Sequence, residues 1–116
     1  MESQEFVEAL KVLSDETRIR ILKILEEKPS YLCQITAILG FSPSTVSTHL
    51  SKLKQFGFVK DKREGAKVLF SLSEPESGEL RRIFREVLKA ADGWETVKRD
   101  IEKMRKISLK EVCPYE

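Results

Sequence analysis

The sequence predicts a mainly α-helical fold of five to six helices that is interrupted by one β-hairpin. Apolar residues recur three or four positions apart along most of the chain, which is the spacing of one helix face. Two strand-like runs flank residues 64–66, where Gly65 favours a turn. With 116 residues the chain has the size of one domain. We expect one domain over residues 1–91 and a C-terminal helix and tail over residues 92–116.

The first three predicted helices occupy residues 6–39. Apolar residues at helical spacing define the first helix: Phe6, Val7, Leu10 and Leu13. Ser14 is the expected N-cap of the second helix, because its hydroxyl can accept a hydrogen bond from a free backbone N–H. Pro29 ends the second helix, Ser30 is placed to cap the third, and Gly40 supplies the left-handed residue that ends it.

The fourth predicted helix is the centre of the functional assignment. Ser42 is its expected cap, Pro43 is its first residue, and Gly57 follows its end. A short turn that contains Gly40 joins the third helix to the fourth, which is the arrangement of a helix-turn-helix. Because a basic hairpin follows, residues 1–91 are predicted to form a winged helix-turn-helix domain.

One face of the fourth helix is rich in hydroxyl and basic groups. Val46, Leu50 and Leu53 must face the core, so the opposite face is exposed. Short hydroxyls allow a helix to lie deep in the major groove of DNA, and lysines neutralise phosphate charge. The candidate DNA-binding residues of this segment are Ser42, Ser44, Thr45, Ser47, Thr48, His49, Ser51, Lys52 and Lys54.

The predicted hairpin adds a second basic element after this helix. Its candidate phosphate-binding residues are Lys62, Arg63 and Lys67. No acidic residue lies between Glu27 and Asp61, although the whole chain has a net charge of only +2. Either a hydroxyl-rich helix or a basic hairpin alone is ordinary solvated surface. Together, in this order and with no acidic residue between Glu27 and Asp61, they predict binding to double-stranded DNA.

The helices at the two ends of the chain carry apolar stripes that one small core cannot bury. The candidate dimer-interface residues are Phe6, Val7, Leu10, Trp94, Val97, Ile101 and Met104. We expect a homodimer in which these stripes meet. In the alternative interpretation, residues 94–104 bind a different protein and the domain is an interaction module without specific DNA binding.

Several segments resemble the signature of the ArsR/SmtB repressors. The matching segments are residues 13–22 (LSDETRIRIL), 44–54 (STVSTHLSKLK), 57–59 (GFV) and 62–68 (KREGAKV). The resemblance covers roughly residues 5–90. It implies a winged-helix homodimer that binds a palindromic operator and usually represses transcription, with the positions of Ser47 and His49 in contact with DNA.

The two cysteines, Cys33 and Cys113, are expected to be reduced. Residues 31–35 (YLCQI) resemble the family's Glu-Leu-Cys-Val-Cys metal-binding segment, but Ile35 replaces its second cysteine. The family's other metal site uses His and carboxylates on the last helices, and the predicted fifth and sixth helices contain no His. We therefore expect no metal or other cofactor, a buried Cys33, and Cys113 in an exposed tail. A thiol switch formed by the two cysteines is the alternative.

The remaining signals argue against other classes of protein. No apolar run approaches the roughly 20 residues that span a membrane, and residues 1–5 lack the basic start of a secretory signal. We expect a cytoplasmic protein with no membrane partner. No phosphate-binding glycine motif is present and no nucleophile has an evident His partner, so no enzymatic activity is predicted. The expected function is sequence-specific binding of double-stranded DNA by a homodimeric regulator of transcription, most simply a repressor.

Overall fold

The computed structural model describes residues 1–113, which form seven α-helices and three β-strands. In chain order the elements are α1 (Ser3–Leu13), α2 (Glu16–Glu27), β1 (Ser30–Tyr31), α3 (Leu32–Leu39), α4 (Pro43–Gln55), β2 (Val59–Glu64), β3 (Lys67–Leu72), α5 (Gly78–Ala90), α6 (Glu95–Lys106) and α7 (Leu109–Val112). A 3-10 turn over Ala91–Gly93 separates α5 from α6. No helix within residues 1–113 has the length and apolarity needed to cross a membrane. The prediction of a mainly helical winged helix-turn-helix fold is confirmed.

The wing is the β2–β3 hairpin of a three-stranded antiparallel sheet with the strand order β1-β3-β2. The pairing runs from Val59 opposite Leu72 to Glu64 opposite Lys67, and Gly65 turns the chain with a φ of 63°. Only glycine adopts such a positive φ without steric cost, so its place in the turn is physically required. The hairpin lies where the sequence predicts it.

The third strand, β1, has only two residues and was not predicted. Ser30 pairs with Phe70 of β3 and is fully buried. Its hydroxyl donates to the Lys28 carbonyl at 2.9 Å, so the prediction that Ser30 caps α3 is wrong. The amide of Tyr31 instead donates to the side-chain oxygen of Gln34 at 2.8 Å, which anchors the first turn of α3.

The beginnings of α2 and α4 depend on side-chain caps. Asp15, one residue after the predicted cap Ser14, accepts a hydrogen bond from the Arg18 amide at 3.0 Å and caps α2. A carboxylate at this position also interacts favourably with the helix dipole, which gives it an advantage over the neighbouring hydroxyl. Ser42 caps α4 as predicted, since its Oγ accepts from the Thr45 amide at 3.2 Å.

Helix α2 occupies the centre of the molecule. Its buried residues are Ile19, Ile21, Leu22, Lys23, Ile24 and Leu25. The core continues through apolar residues of α3, α4 and α5 and through the paired rings of Phe58 and Phe84, whose centroids are 5.0 Å apart. Helix α4 therefore packs against both α2 and α3.

Helix α6 folds back against α2 and α3 of its own protomer. Val97 is 4% exposed and packs in a cluster with Ile19, and Trp94 and Ile101 cover the same cluster. Met104 packs against the main core. The prediction that Val97 faces a dimer partner is wrong, because its side chain is buried inside the protomer. The apolar residues of 94–104, on which the interaction-module alternative depended, pack against the same protomer.

Two ion pairs join α6 to α2, and they differ in burial. Arg20 donates from Nε and NH2 to the two carboxylate oxygens of Asp100 at 2.8 and 2.9 Å, and the side chain of Asp100 is only 6% exposed. This two-bond contact, the largest of its causes, raises the pKa of Arg20. The second pair joins Arg105 to Glu27 at 3.0 Å, with side chains that are 70% and 43% exposed.

The two cysteines form a disulfide that holds α7 against the start of α3. Cys33 and Cys113 are 80 residues apart in the sequence, and their Cα atoms are 5.6 Å apart. Cys113 is 5% exposed and Cys33 is half-buried. The expectations of reduced thiols, a buried Cys33 and an exposed Cys113 are therefore wrong, because the C-terminal segment folds back across α3. Residues 114–116 of the predicted tail lie outside the described residues.

We expect Asp100→Ala to lower the free energy of unfolding by about 3 kcal/mol, because it leaves a largely buried guanidinium without its partner. Arg105→Ala is the matched control on the same helix, and an exposed pair of this kind contributes less than about 1 kcal/mol. Urea unfolding of the two variants and the wild type measures both effects. Equal losses in the two variants would contradict the importance assigned to the buried pair.

Candidate nucleic-acid interface

Helix α4 presents one polar face to solvent. Val46, Leu50 and Leu53 are its buried residues. The predicted contact residues on its other sides are exposed except for His49: Ser42, Ser44, Thr45, Ser47, Thr48, Ser51, Lys52 and Lys54. The structure thus brings these side chains together on one accessible face, which carries hydroxyl and ammonium groups and no carboxylate.

Three hydroxyls meet at the N-terminus of α4. Ser42 Oγ lies 2.9 Å from Thr45 Oγ1, to which it donates, and 3.2 Å from Ser44 Oγ. These contacts fix the side-chain rotamers while leaving acceptor positions and at least one hydroxyl proton available. The first turn of α4 therefore offers an ordered group of small polar side chains.

Thr48 presents its methyl group rather than a free hydroxyl. Its Oγ1 donates to the Ser44 carbonyl at 2.9 Å, one turn earlier in α4, and the residue is exposed. This backbone contact fixes the side chain and commits the hydroxyl proton. The accessible part of Thr48 is consequently the methyl group together with an acceptor oxygen.

His49 connects α4 to α2. Its Nδ1 accepts a hydrogen bond from Nε of Arg18 at 3.0 Å, so the imidazole is neutral and carries its proton on Nε2. Arg18 also donates to the Val12 carbonyl at 3.3 Å. The structure therefore gives His49 a positioning role in the protomer, and Arg18, which the sequence analysis did not single out, orients it.

Burial is the main cause that lowers the pKa of His49 below its ordinary value of 6.5. The negative charge of Asp15 raises this pKa, and the positive charges of Arg18 and Lys52 lower it. Burial and the two positive charges together outweigh the effect of Asp15. The neutral imidazole that accepts from Arg18 is thus the form that the folded protein favours near neutral pH.

The wing carries exposed cations, and Tyr31 holds the end of the hairpin that contains the turn. Lys62 and Arg63 are exposed. Beside the turn, the Tyr31 hydroxyl donates to Glu64 Oε1 at 2.6 Å, and the Lys67 ammonium lies 4.7 Å from the centre of the Tyr31 ring. Lys67 is therefore half-buried and bound to an aromatic face, unlike the exposed Lys62 and Arg63.

Lys54 is the one candidate contact residue of α4 that the described residues place in an ion pair. Its ammonium lies 3.0 Å from the carboxylate of Asp61 on β2, and both side chains are partly accessible. The pair ties the end of the helix to the wing and reduces the net positive charge there. We rank Lys52 above Lys54 as a source of phosphate attraction for this reason.

The described residues bring no three His, Cys, Asp or Glu side chains together as metal ligands. What they bring together is an exposed hydroxyl-rich helix in a helix-turn-helix, beside a basic hairpin. These features define a winged helix-turn-helix regulator of transcription.

Comparison with known sequences identifies the family. A profile for bacterial regulatory proteins of the arsR family matches residues 15–61. The cadmium resistance transcriptional regulatory protein CadC homolog of Staphylococcus aureus is 34% identical over 77 residues, which cover 66% of this chain and 64% of that protein. The uncharacterized HTH-type transcriptional regulator MJ1325 of Methanocaldococcus jannaschii is 32% identical over 85 residues, which cover 72% of this chain and 96% of that protein. The chain belongs to the ArsR family.

A solved structure supports the same assignment. The winged helix-turn-helix DNA-binding domain Mb0332 of Mycobacterium bovis, a homodimer, superposes with a TM-score of 0.63 and 25% identity over 79% of this chain and 82% of that chain. The predicted resemblance to the ArsR/SmtB repressors is confirmed.

Since the relatives are regulators of transcription, the prediction of a non-enzymatic protein is confirmed as well.

We expect the wild type to lose stability as the pH falls from 7.5 to 5.5, because the unfolded chain takes up a proton at His49 before the folded chain does. A base with a lowered folded pKa contributes stability that is complete above the unfolded value of 6.5 and is lost as the pH falls below it. His49 is the only histidine, so His49→Gln should flatten this part of the profile. Urea midpoints of both proteins across the range provide the measurement, and parallel profiles would contradict the assignment.

Proposed function

We propose that the chain is a cytoplasmic repressor that binds a palindromic operator in double-stranded DNA as a homodimer. The observation that carries this proposal is the acid-free hydroxyl face of α4 next to the basic wing, on a fold of the ArsR family. In this proposal α4 enters the major groove and the wing lies along neighbouring phosphates. The half-buried His49 acts mainly by holding α4 on α2.

The base-reading residues are those near the exposed centre of α4. Because the hydroxyl of Thr48 is committed to the Ser44 carbonyl, its methyl group is suited to contact the 5-methyl group of thymine. Ser44, Ser47 and Ser51 are exposed on the same helix and supply hydrogen bonds to bases or phosphates. Lys52 and the wing cations supply attraction that does not depend on sequence.

The proposed dimer interface centres on α1. Val7 is 48% exposed, which is high for a large apolar side chain, and Phe6 and Leu10 are half-buried beside it. Helix α5 contacts α1 and offers the half-buried Ile83 and Val87. The homodimeric state of Mb0332 supports a dimer, without specifying its interface. Of the predicted residues of α6, the half-buried ones, Trp94, Ile101 and Met104, remain candidates for the edge of the interface.

We expect Thr48 to recognise thymine through its methyl group in a duplex selected from random sequence. Replacing the contacted thymine by deoxyuridine should weaken wild-type binding about fourfold, from roughly 0.8 kcal/mol for a buried methyl-sized group. Thr48→Val keeps the methyl group and should remain sensitive, whereas Thr48→Ser should not distinguish the two bases. Fluorescence anisotropy measures the affinities, and the stoichiometry should be two protomers per duplex.

Arg63→Ala is the control for sequence-independent attraction. This substitution should weaken binding to the thymine and deoxyuridine duplexes equally. It should also lower the slope of affinity against salt concentration by about one per subunit. A protein that binds no duplex at low salt would refute the proposed function. Equal sensitivity of all three Thr48 proteins to the thymine methyl group would refute only the assignment of Thr48.

We also propose that the Cys33–Cys113 disulfide regulates DNA binding. Reduction by a dithiol such as dithiothreitol transfers two electrons and two protons, which yields two protein thiols and the cyclic disulfide of the reductant. The bond fixes α7 on α3 next to residues 66–68 of the wing. We infer that the oxidised form restricts the adjustment of the wing to the phosphate backbone and binds DNA less tightly than the reduced form.

The thiol proposal predicts that dithiothreitol raises the affinity of the wild type for the selected duplex. Cys33→Ser and Cys113→Ser should each bind like the reduced wild type and should not respond to reductant, because either substitution removes the bond. The same anisotropy titration under oxidising and reducing conditions tests this. An unchanged wild-type affinity, after mass spectrometry has verified both redox states, would eliminate the disulfide as a regulator.

A further inference from the structure

An open cavity of about 430 Å³ lies under the wing. Its described lining residues come from β1, α3, the start of α4, the wing and α7: Tyr31, Leu32, Cys33, Thr36, Ala37, Pro43, Ala66, Lys67, Val68 and Val112. This volume is within the range of about 300 to 1,000 Å³ that is typical of small-molecule sites. The site is separate from the exposed face of α4.

The walls of the cavity are mostly apolar, with a few polar groups. Leu32, Ala37, Pro43, Val68 and Val112 provide aliphatic surface, and the Tyr31 ring adds an aromatic side. Such walls gain free energy when they release water to a ligand of similar character. The cavity therefore favours a compact and largely apolar molecule.

Two polar groups define the chemistry further. Lys67 is the only charged residue among those described in the lining, and its ammonium lies 4.7 Å from the Tyr31 ring centre. Thr36 Oγ1 is buried and has no hydrogen-bond partner within residues 1–113. A buried hydroxyl without a partner is unusual, and an acceptor on a bound molecule would satisfy it.

We propose that this cavity binds a small aromatic molecule that carries one anionic group. The ring lies among the aliphatic side chains beside Tyr31, and the anion pairs with Lys67. This combination follows from the lining itself, since an apolar cavity with one cation discriminates against cations and against large polar molecules.

Binding at this site should affect DNA, and this step rests on the proposed function. The cavity shares Pro43 with the start of α4 and residues 66–68 with the wing. An anion that pairs with Lys67 neutralises one of the wing cations that attract phosphate. The anionic ligand is therefore an effector that weakens DNA binding.

The binding step is tested with 8-anilinonaphthalene-1-sulfonate and its uncharged analogue N-phenyl-1-naphthylamine, using the oxidised protein without DNA. The sulfonate should bind at one site per protomer and about fivefold more tightly than the uncharged probe, as expected for one partly exposed ion pair. Lys67→Gln should abolish that preference. Equal affinities of the two probes, or an unchanged preference in Lys67→Gln, would overturn the assignment of an anionic ligand.

Cavity-filling variants locate the site. Ala37→Leu should lower the affinity for the sulfonate at least tenfold, whereas Ala90→Leu, on the exposed side of α5, should not change it. If Ala37→Leu does not unfold cooperatively, Ala66→Leu takes its place, because Ala66 is exposed at the rim and its enlargement leaves the core intact. Probe affinity that is unchanged in the folded filling variant would overturn the proposal.

The coupling step has its own outcome. Saturating sulfonate should weaken binding of the wild type to the selected duplex at least threefold and lower its salt slope, and the uncharged probe should not. Probe binding that meets the expectations above but leaves duplex affinity unchanged would refute the effector role and keep the site. Failure of duplex binding itself would refute the proposed function and leave the probe results unaffected.

Discussion

The burial of α2 is the constraint on which the rest of the structure depends. Its apolar residues form the centre of the core, and its three cationic side chains each reach a different helix. Arg18 donates to His49 on α4, Arg20 to Asp100 on α6, and Lys23 to the Leu88 carbonyl at the end of α5 at 3.0 Å. One central helix therefore helps to position α4, which is the proposed recognition helix, α6, and α5, which lies beside the proposed dimer surface.

Lys23 remains charged although it is buried, and this allows its ammonium to donate to the Leu88 carbonyl. Burial disfavours its charged form, but the carboxylates of Asp92 and Glu26 outweigh that effect and raise its pKa. The ammonium thus satisfies the end of α5 while its own charge is balanced. Because these cations are committed to neighbouring helices, the positive charge of α2 is structural, and the charge available to DNA comes from α4 and the wing.

The parts of the fold that the sequence predicted are those encoded locally. The periodicity of Val46, Leu50 and Leu53 determines which face of α4 is exposed, and Gly65 determines the turn of the wing. Features that depend on distant contacts were either missed or, as for the pairing of the two cysteines, left as an alternative. The disulfide joins residues 80 positions apart, and an apolar residue such as Val97 has the same pattern whether its partner is α2 or a second protomer. Periodicity identifies an apolar face but does not say what covers it.

Tyr31 lies where the separate features of the molecule meet. Tyr31 holds both Glu64 and Lys67 of the hairpin, and it directly precedes Leu32 and the disulfide-bonded Cys33 at the start of α3. A change at the disulfide or in the adjoining cavity therefore acts within one or two residues of the side chain that anchors the wing. Helix α4 is held by the Arg18–His49 hydrogen bond to α2, and only Pro43 at its start is among the described residues that line the cavity. The fold thus places the groups capable of chemical change next to the wing, which is suited to phosphate attraction, and away from the exposed centre of α4, which is suited to base recognition.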